Sequence, residues 1–170
     1  MLDLWVGRGE HGGMEIMIRE MATPQDAAAF RALNEQWISE HFALEDEDRR
    51  QLDDPDAAIV RPGGQVLVAE SEGAIVGCVA LRPAGDAVYE LSKMAVAPAA
   101  RGRGVGRQVL QAAVARAAAL GASSLFLGSS TKLPDAVHLY EAVGFVHVAP
   151  EQLGLPYDRA DVFMQLSLAT

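Results

Sequence analysis

Between residues 88 and 128 the chain reads as a strand, a glycine-rich turn, a long helix and a second strand, and this order limits the fold more than any other feature. Val88–Val96 is an apolar run that Pro98 ends, since proline has no N–H to give a sheet ladder. Gly104–Leu120 follows the helical period, with Val105, Val109, Ala112 and Ala113 on one side and Arg107, Gln111 and Arg116 elsewhere. Gly121 supplies the stop, and Ser123–Gly128 returns as a strand. A strand–helix–strand unit must close on a sheet, so the class is α/β. The flanks agree. Glu15–Glu20 reads as a strand, and Thr23-Pro24-Gln25-Asp26 opens a helix with Thr23 as N-cap. Gln65–Glu70 and Ala74–Leu81 form a hairpin through Ser71-Glu72-Gly73. Pro134–Val143 is a short helix stopped by Gly144, and Phe145–Val148 and Asp161–Leu168 complete the sheet. The acidic stretch Glu45–Asp56 reads as a surface helix or loop.

No internal repeat or long linker divides the 170 residues, which predicts one domain over residues 15–170. Met1–Met14 contains four glycines and no period, and reads as a flexible tail outside that domain. No apolar run reaches the roughly 18–20 residues of a membrane span. Met1–Gly13 lacks the basic-then-apolar order of a signal peptide, so the expected location is the cytoplasm. A net charge of −9 argues against a nucleic-acid or membrane-surface partner and is compatible with a basic small-molecule substrate. The sequence leaves a homodimer open. Cys78 is the single cysteine, inside an apolar strand, and reads as a core residue. The four histidines are scattered with no HExxH spacing, so no metal site is expected.

The turn in the central unit is Arg101-Gly102-Arg103-Gly104-Val105-Gly106. Glycine lets backbone approach a ligand closely, and a helix start offers unpaired N–H groups and a positive dipole end to an anion. Arg101, Arg103 and Arg107 gather there in an otherwise acidic chain, which a polyphosphate ligand would account for; taken alone, the stretch reads equally as a turn with surface arginines. The stretch is not a Walker A loop, having no Gly-Lys-Ser/Thr. It is not a dinucleotide fingerprint either, since a third glycine would fall on Arg107 or Val109.

Taken with two further stretches, this turn resembles the GNAT superfamily of N-acetyltransferases, whose acetyl-CoA loop follows Gln/Arg-x-x-Gly-x-Gly/Ala. The preceding strand, Tyr89 to Pro98, and the later Tyr140-Glu141-Ala142-Val143-Gly144-Phe145 are similar to family motifs in the same order. The resemblance covers Ile16 to Leu168. It implies a mixed, mostly antiparallel central sheet flanked by helices, with the strand–helix–strand unit holding the co-substrate acetyl-CoA. It implies that Met94, Ala95 and Val96 hold the pantetheine arm, and that amides of Arg101, Gly102, Arg103, Gly104, Val105, Gly106 and Arg107 hold the pyrophosphate. Many members carry Asn where this chain has Leu133, and Ser129, Ser130, Thr131 and Lys132 are nearby polar replacements.

Acetylating an amine requires loss of its proton, stabilisation of the carbonyl oxygen, and a proton for the leaving thiolate. No enzyme nucleophile is needed, and Gly128-Ser129-Ser130 is not a nucleophile elbow. The resemblance makes Tyr140 the general acid. Glu90 is a general base or an outward-facing strand residue, and both readings stand at this point. Alternation sets Glu90, Ser92, Met94 and Val96 on one face of the strand and Tyr89, Leu91, Lys93 and Ala95 on the other. The family's acceptor cleft corresponds here to Trp37–Glu45 and Gln152–Arg159, which nominates Trp37, His41, Phe42, Tyr157 and Arg159. The expected activity is transfer of acetyl to a primary amine of a small molecule or peptide by direct attack in a ternary complex. A non-catalytic acyl-CoA sensor is the alternative.

Overall fold

The computed structural model describes residues 15–149 and 159–168, and residues 5–7 by their backbone. Its strands are β1 (Trp5–Gly7), β2 (Ile16–Glu20), β3 (Gln65–Ser71), β4 (Ala74–Pro83), β5 (Val88–Val96), β6 (Ser124–Ser129), β7 (Val146–His147) and β8 (Val162–Ser167). The helices are α1 (Pro24–His41), α2 (Asp46–Asp53), α3 (Val105–Ala119) and α4 (Pro134–Val143), with a π-helical turn at Asp56–Val60. Among the described residues the strands form one sheet in the order β1-β2-β3-β4-β5-β6-β8-β7. Every neighbour pair is antiparallel except β5 with β6, which the α3 crossover makes parallel.

Local chemistry explains the element ends. Thr23 caps α1 through its hydroxyl, and Asp26 returns the bond to the Thr23 backbone in a capping box. Gly121, at a φ of 85°, ends α3. The sheet is covered on both faces, and strand alternation sorts its residues. Leu67, Val79 and Leu81 pack with Val109, Leu110 and Ala113 of α3. Val66, Val68, Cys78 and Ala80 pack with Phe30 of α1 and Leu52 of α2. Cys78 is a core residue, as expected, and burial pushes its thiol up to about 12.

Three expectations need correction. Trp5–Gly7 lies within the stretch read as a loose tail, yet it pairs antiparallel with Ile16–Ile18. Three residues are too few to display a period. The remainder of residues 1–14 lies outside the described residues. The acidic stretch is not a surface segment throughout, because α2 buries Asp48, Gln51 and Leu52. Strict alternation in β5 also fails. Leu91 belongs to the α3 side of the sheet and Ala95 to the α1 side, although both numbers are odd. A β-bulge causes this: β4 advances from Cys78 to Ala80 while β5 steps back from Ala95 to Ser92, and Lys93 takes a left-handed φ of 55°. The bulge turns Lys93 to the face that carries Glu90 and moves Met94 and Val96 to the α3 side.

Candidate active site

The site lies where the sheet opens. The parallel ladder of β5 with β6 runs only from Val88/Ser124 to Glu90/Phe126. Beyond it β6 stays with β8 as far as Ser129, and among the described residues the β6-side edge of β5 from Leu91 onward has no strand beside it. One cleft of about 660 Å³ is lined by Met94, Ala95 and Val96 of β5, by Arg101, Gly102, Gly104, Val105, Gly106 and Arg107, and by the start of α4. Gly104 forms the α3 N-cap at a φ of 81° with no capping side chain, and a Cβ there would meet no protein atom within 4 Å. The turn thus presents bare backbone and a helix N-terminus to the cleft. Arg101 donates to the Val96 carbonyl at 3.0 Å, forms a two-point ion pair with Glu40 at 2.9 and 3.2 Å, and stacks 4.9 Å from the Trp37 ring centre. Its side chain therefore bridges the loop to α1.

A second cavity of about 120 Å³ lies between the parted strands and is lined by residues 90–94 of β5, by Gly128–Ser130, and by Asn34, Trp37 and Phe42 of α1 and its end. Trp37, Met94, Leu133 and Tyr140 line both spaces, so the two meet there. Tyr140 is buried and packs edge-on against Phe145 at 5.9 Å; loss of solvation pushes its phenol up to about 12. Glu90 is also buried. Desolvation raises its carboxyl, against the opposing pull of Arg82 and Lys93. Behind Lys93 lies Asp48, fully buried, which accepts from the Lys93 ammonium at 2.8 Å and from both ends of the Arg159 guanidinium at 2.7 and 2.8 Å. Burial acts to raise the Asp48 carboxyl, but the two cations hold it well below the ordinary range.

The Acetyltransferase (GNAT) family matches residues 27–145, and the matched span contains the opened sheet, the glycine turn and α4. The chain belongs to the GNAT acetyltransferase family. It is 33% identical over 141 residues to an uncharacterized N-acetyltransferase from Schizosaccharomyces pombe, covering 79% of this chain and 85% of that one. The Salmonella typhimurium protein yncA, solved with its cofactor acetyl-CoA, superposes with a TM-score of 0.71 at 28% identity over 90% of this chain and 94% of that chain. A GNAT-family acetyltransferase from Staphylococcus aureus Mu50 shares the fold with a TM-score of 0.82 at 19% identity, over 90% of this chain and 99% of that chain. Membership makes the protein an acyltransferase with acetyl-CoA as co-substrate and an amine as acceptor.

Within this GNAT chain the expected site residues divide between the two spaces. The larger cleft takes the loop residues and Met94 to Val96, but Arg103 does not line it. Tyr140 and Glu90 meet at the smaller cavity, together with Trp37, Phe42 and Arg159. His41 is on the larger side, 5.2 Å from the Trp37 ring centre. Tyr157 lies outside the described residues, as do 150–156 and 158. Leu133, where many relatives carry Asn, stands at the α4 N-cap with no side-chain cap and lines both spaces. Sequence reasoning missed Asp48 and the site role of Lys93 and Asn34. Asp48 sat within an acidic run, and nothing local separates it from its exposed neighbours. Among the described residues no cluster of His, Cys, Asp and Glu could hold a metal ion, and no helix is long and apolar enough to cross a membrane.

Proposed function

We propose that this protein transfers acetyl from acetyl-CoA to a primary amine by direct attack, with the acceptor entering the smaller cavity. The observation that carries this reading is that Tyr140 lines both spaces while Glu90 lines only the smaller one. The larger cleft suits a long anionic ligand: bare glycine backbone and the α3 N-terminus face it, and the unpaired edge of β5 runs along it. The amides of Gly102 and of Gly104 to Arg107 hold the pyrophosphate, since Arg103 does not line the cleft and the Arg101 amide donates to the Pro98 carbonyl, and Met94 to Val96 hold the pantetheine arm. When bound there, acetyl-CoA supplies the thioester carbonyl that the amine attacks.

Glu90 removes the amine proton, directly or through one water. Its raised carboxyl makes it a better base than an ordinary glutamate at neutral pH. Tyr140 donates its phenolic proton to the leaving sulfur. Burial raises phenols and thiols alike, as it does for Cys78, so the dry junction weakens the phenol without losing its match to a thiol partner. Trp37 and Phe42 wall the acceptor side, and Arg159 closes it from the β8 end. The test is release of CoA with a panel of primary amines, from simple alkylamines to amino acids and short peptides. Release above the hydrolysis background with at least one amine is expected. Absence of amine-dependent release across the panel would overturn the reading.

A further inference from the structure

Behind Glu90, on the side away from the cavity, charges of alternating sign lead outward. Arg82 of β4 is the cross-strand partner of Glu90, with its guanidinium 3.8 Å from the carboxylate. Glu47 of α2 lies 3.7 Å from the same guanidinium, and Arg50 forms a close pair with Glu47 at 2.6 Å nearer the surface. Glu47 is held down to about 2, first by its bonds to Arg50, so it is charged throughout the working range. Arg82 does not line either cavity, whereas Glu90 does. It can therefore reach the chemistry only through Glu90.

We propose that Arg82 is a positioning residue for acetyl transfer, holding the Glu90 carboxylate charged and in place from behind, with Glu47 setting how much of Arg82's charge Glu90 receives. This rests on the reading of Glu90 as the base. The groups that face Glu90 can be named element by element. Arg82 comes from β4, Lys93 from β5 itself, and Glu47 from α2, while Asp48 and Arg159 act through Lys93. On β6 its register partner is the uncharged Phe126, and Tyr140 of α4 lines the same cavity. Desolvation already works against charge on Glu90, so loss of the nearest guanidinium leaves Lys93 as the cation that acts on it directly. Arg82 and Glu47 consequently act in opposite directions on one carboxylate.

The test needs no acceptor. Glutamate carboxyl carbons labelled in the full chain are titrated by NMR, and the Glu90 signal is identified as the one missing from Glu90→Gln. The midpoint should move to higher pH in Arg82→Met, return toward the wild-type value in Arg82→Lys, and move to lower pH in Glu47→Gln. A midpoint unchanged in Arg82→Met overturns the proposal. So does a shift of Arg82→Met and Glu47→Gln in the same direction, the mark of general loosening. Should Arg82→Met fail to fold, the Glu47→Gln direction and the Arg82→Lys rescue decide. The best amine from the CoA-release panel provides the kinetic arm, in which the acidic limb of kcat/KM should follow the NMR midpoint in each variant. A wild-type profile in Glu90→Gln would instead overturn the base reading on which the proposal rests, and the NMR midpoints keep the two failures distinct.

Discussion

Tyr140 and Glu90 reach one small cavity from α4 and from β5, and their roles separate by substitution. Tyr140→Phe keeps the ring against Phe145 and removes the proton. No hydrogen bond to the hydroxyl is present among the described residues, so stability should change little. Turnover should fall by about 10²–10⁴-fold in steady-state assays, the usual scale for a general acid. Equal turnover would return Tyr140 to packing alone. For Glu90→Gln, the raised carboxyl fixes the sign. If Glu90 is the base, the wild-type rate should climb with pH as it loses its proton, with this limb displaced upward from that of an ordinary glutamate. The variant should be slow near neutral pH and recover in part at high pH, where more amine is free. Calorimetry should find acetyl-CoA affinity unchanged. Tyr140 was legible because it belongs to a local pattern with Gly144 and Phe145. The Lys93–Asp48 pair was not, since its partners are 45 residues apart and no short window contains both.

At the scale of elements, every strand and helix of the central unit matches its sequence pattern to within a residue or two, because period and punctuation are local properties. The β5 bulge escaped because the extra residue, Lys93, is an ordinary strand-compatible side chain with no glycine to mark it. Its effect is large: it assigns Lys93 and Met94 to opposite faces from those that alternation predicts. The glycine turn yields a further expectation. Gly104→Val puts a β-branched residue at a left-handed φ of 81°, but its Cβ meets no protein atom within 4 Å, so the fold should survive with a loss of roughly 1–3 kcal/mol. Acetyl-CoA affinity by calorimetry should drop sharply, and unchanged affinity in the folded variant would free the turn from the site. The edge strand β1 behaves differently. Deleting residues 1–13 exposes the outer edge of β2, at the far end of the sheet from β5 and β6. The melting temperature should fall while acetyl transfer persists; a loss of transfer would mean that the segment reaches the site.

For the whole molecule, carboxylates paired with cations should govern the response to acid. Arg19 and then backbone amides hold Asp26 down to about 2, and Glu47 and Asp48 are lowered as well. A group with a lowered folded value contributes stability above its unfolded value near ~4, and that contribution is lost as pH falls toward 2. Asp26 alone contributes on the order of 2 kcal/mol by this linkage. Glu90 has the opposite sign: its raised carboxyl favours the folded state below ~4 and costs stability at neutral pH. The lowered set is larger, so melting temperature should decline between about pH 5 and 2, and Asp26→Asn should flatten that decline. An unaltered slope in this variant would mean that the Arg19 pair persists in the unfolded chain. The parting of β5 from β6 carries a different consequence. Amide protons on the open side of β5, in the middle of the sheet, should therefore exchange as though they belonged to an outer strand. Saturating acetyl-CoA should slow deuterium uptake in the peptide spanning residues 91–97 far more than in β3, making the ligand a surrogate for the rungs that the protein itself does not build.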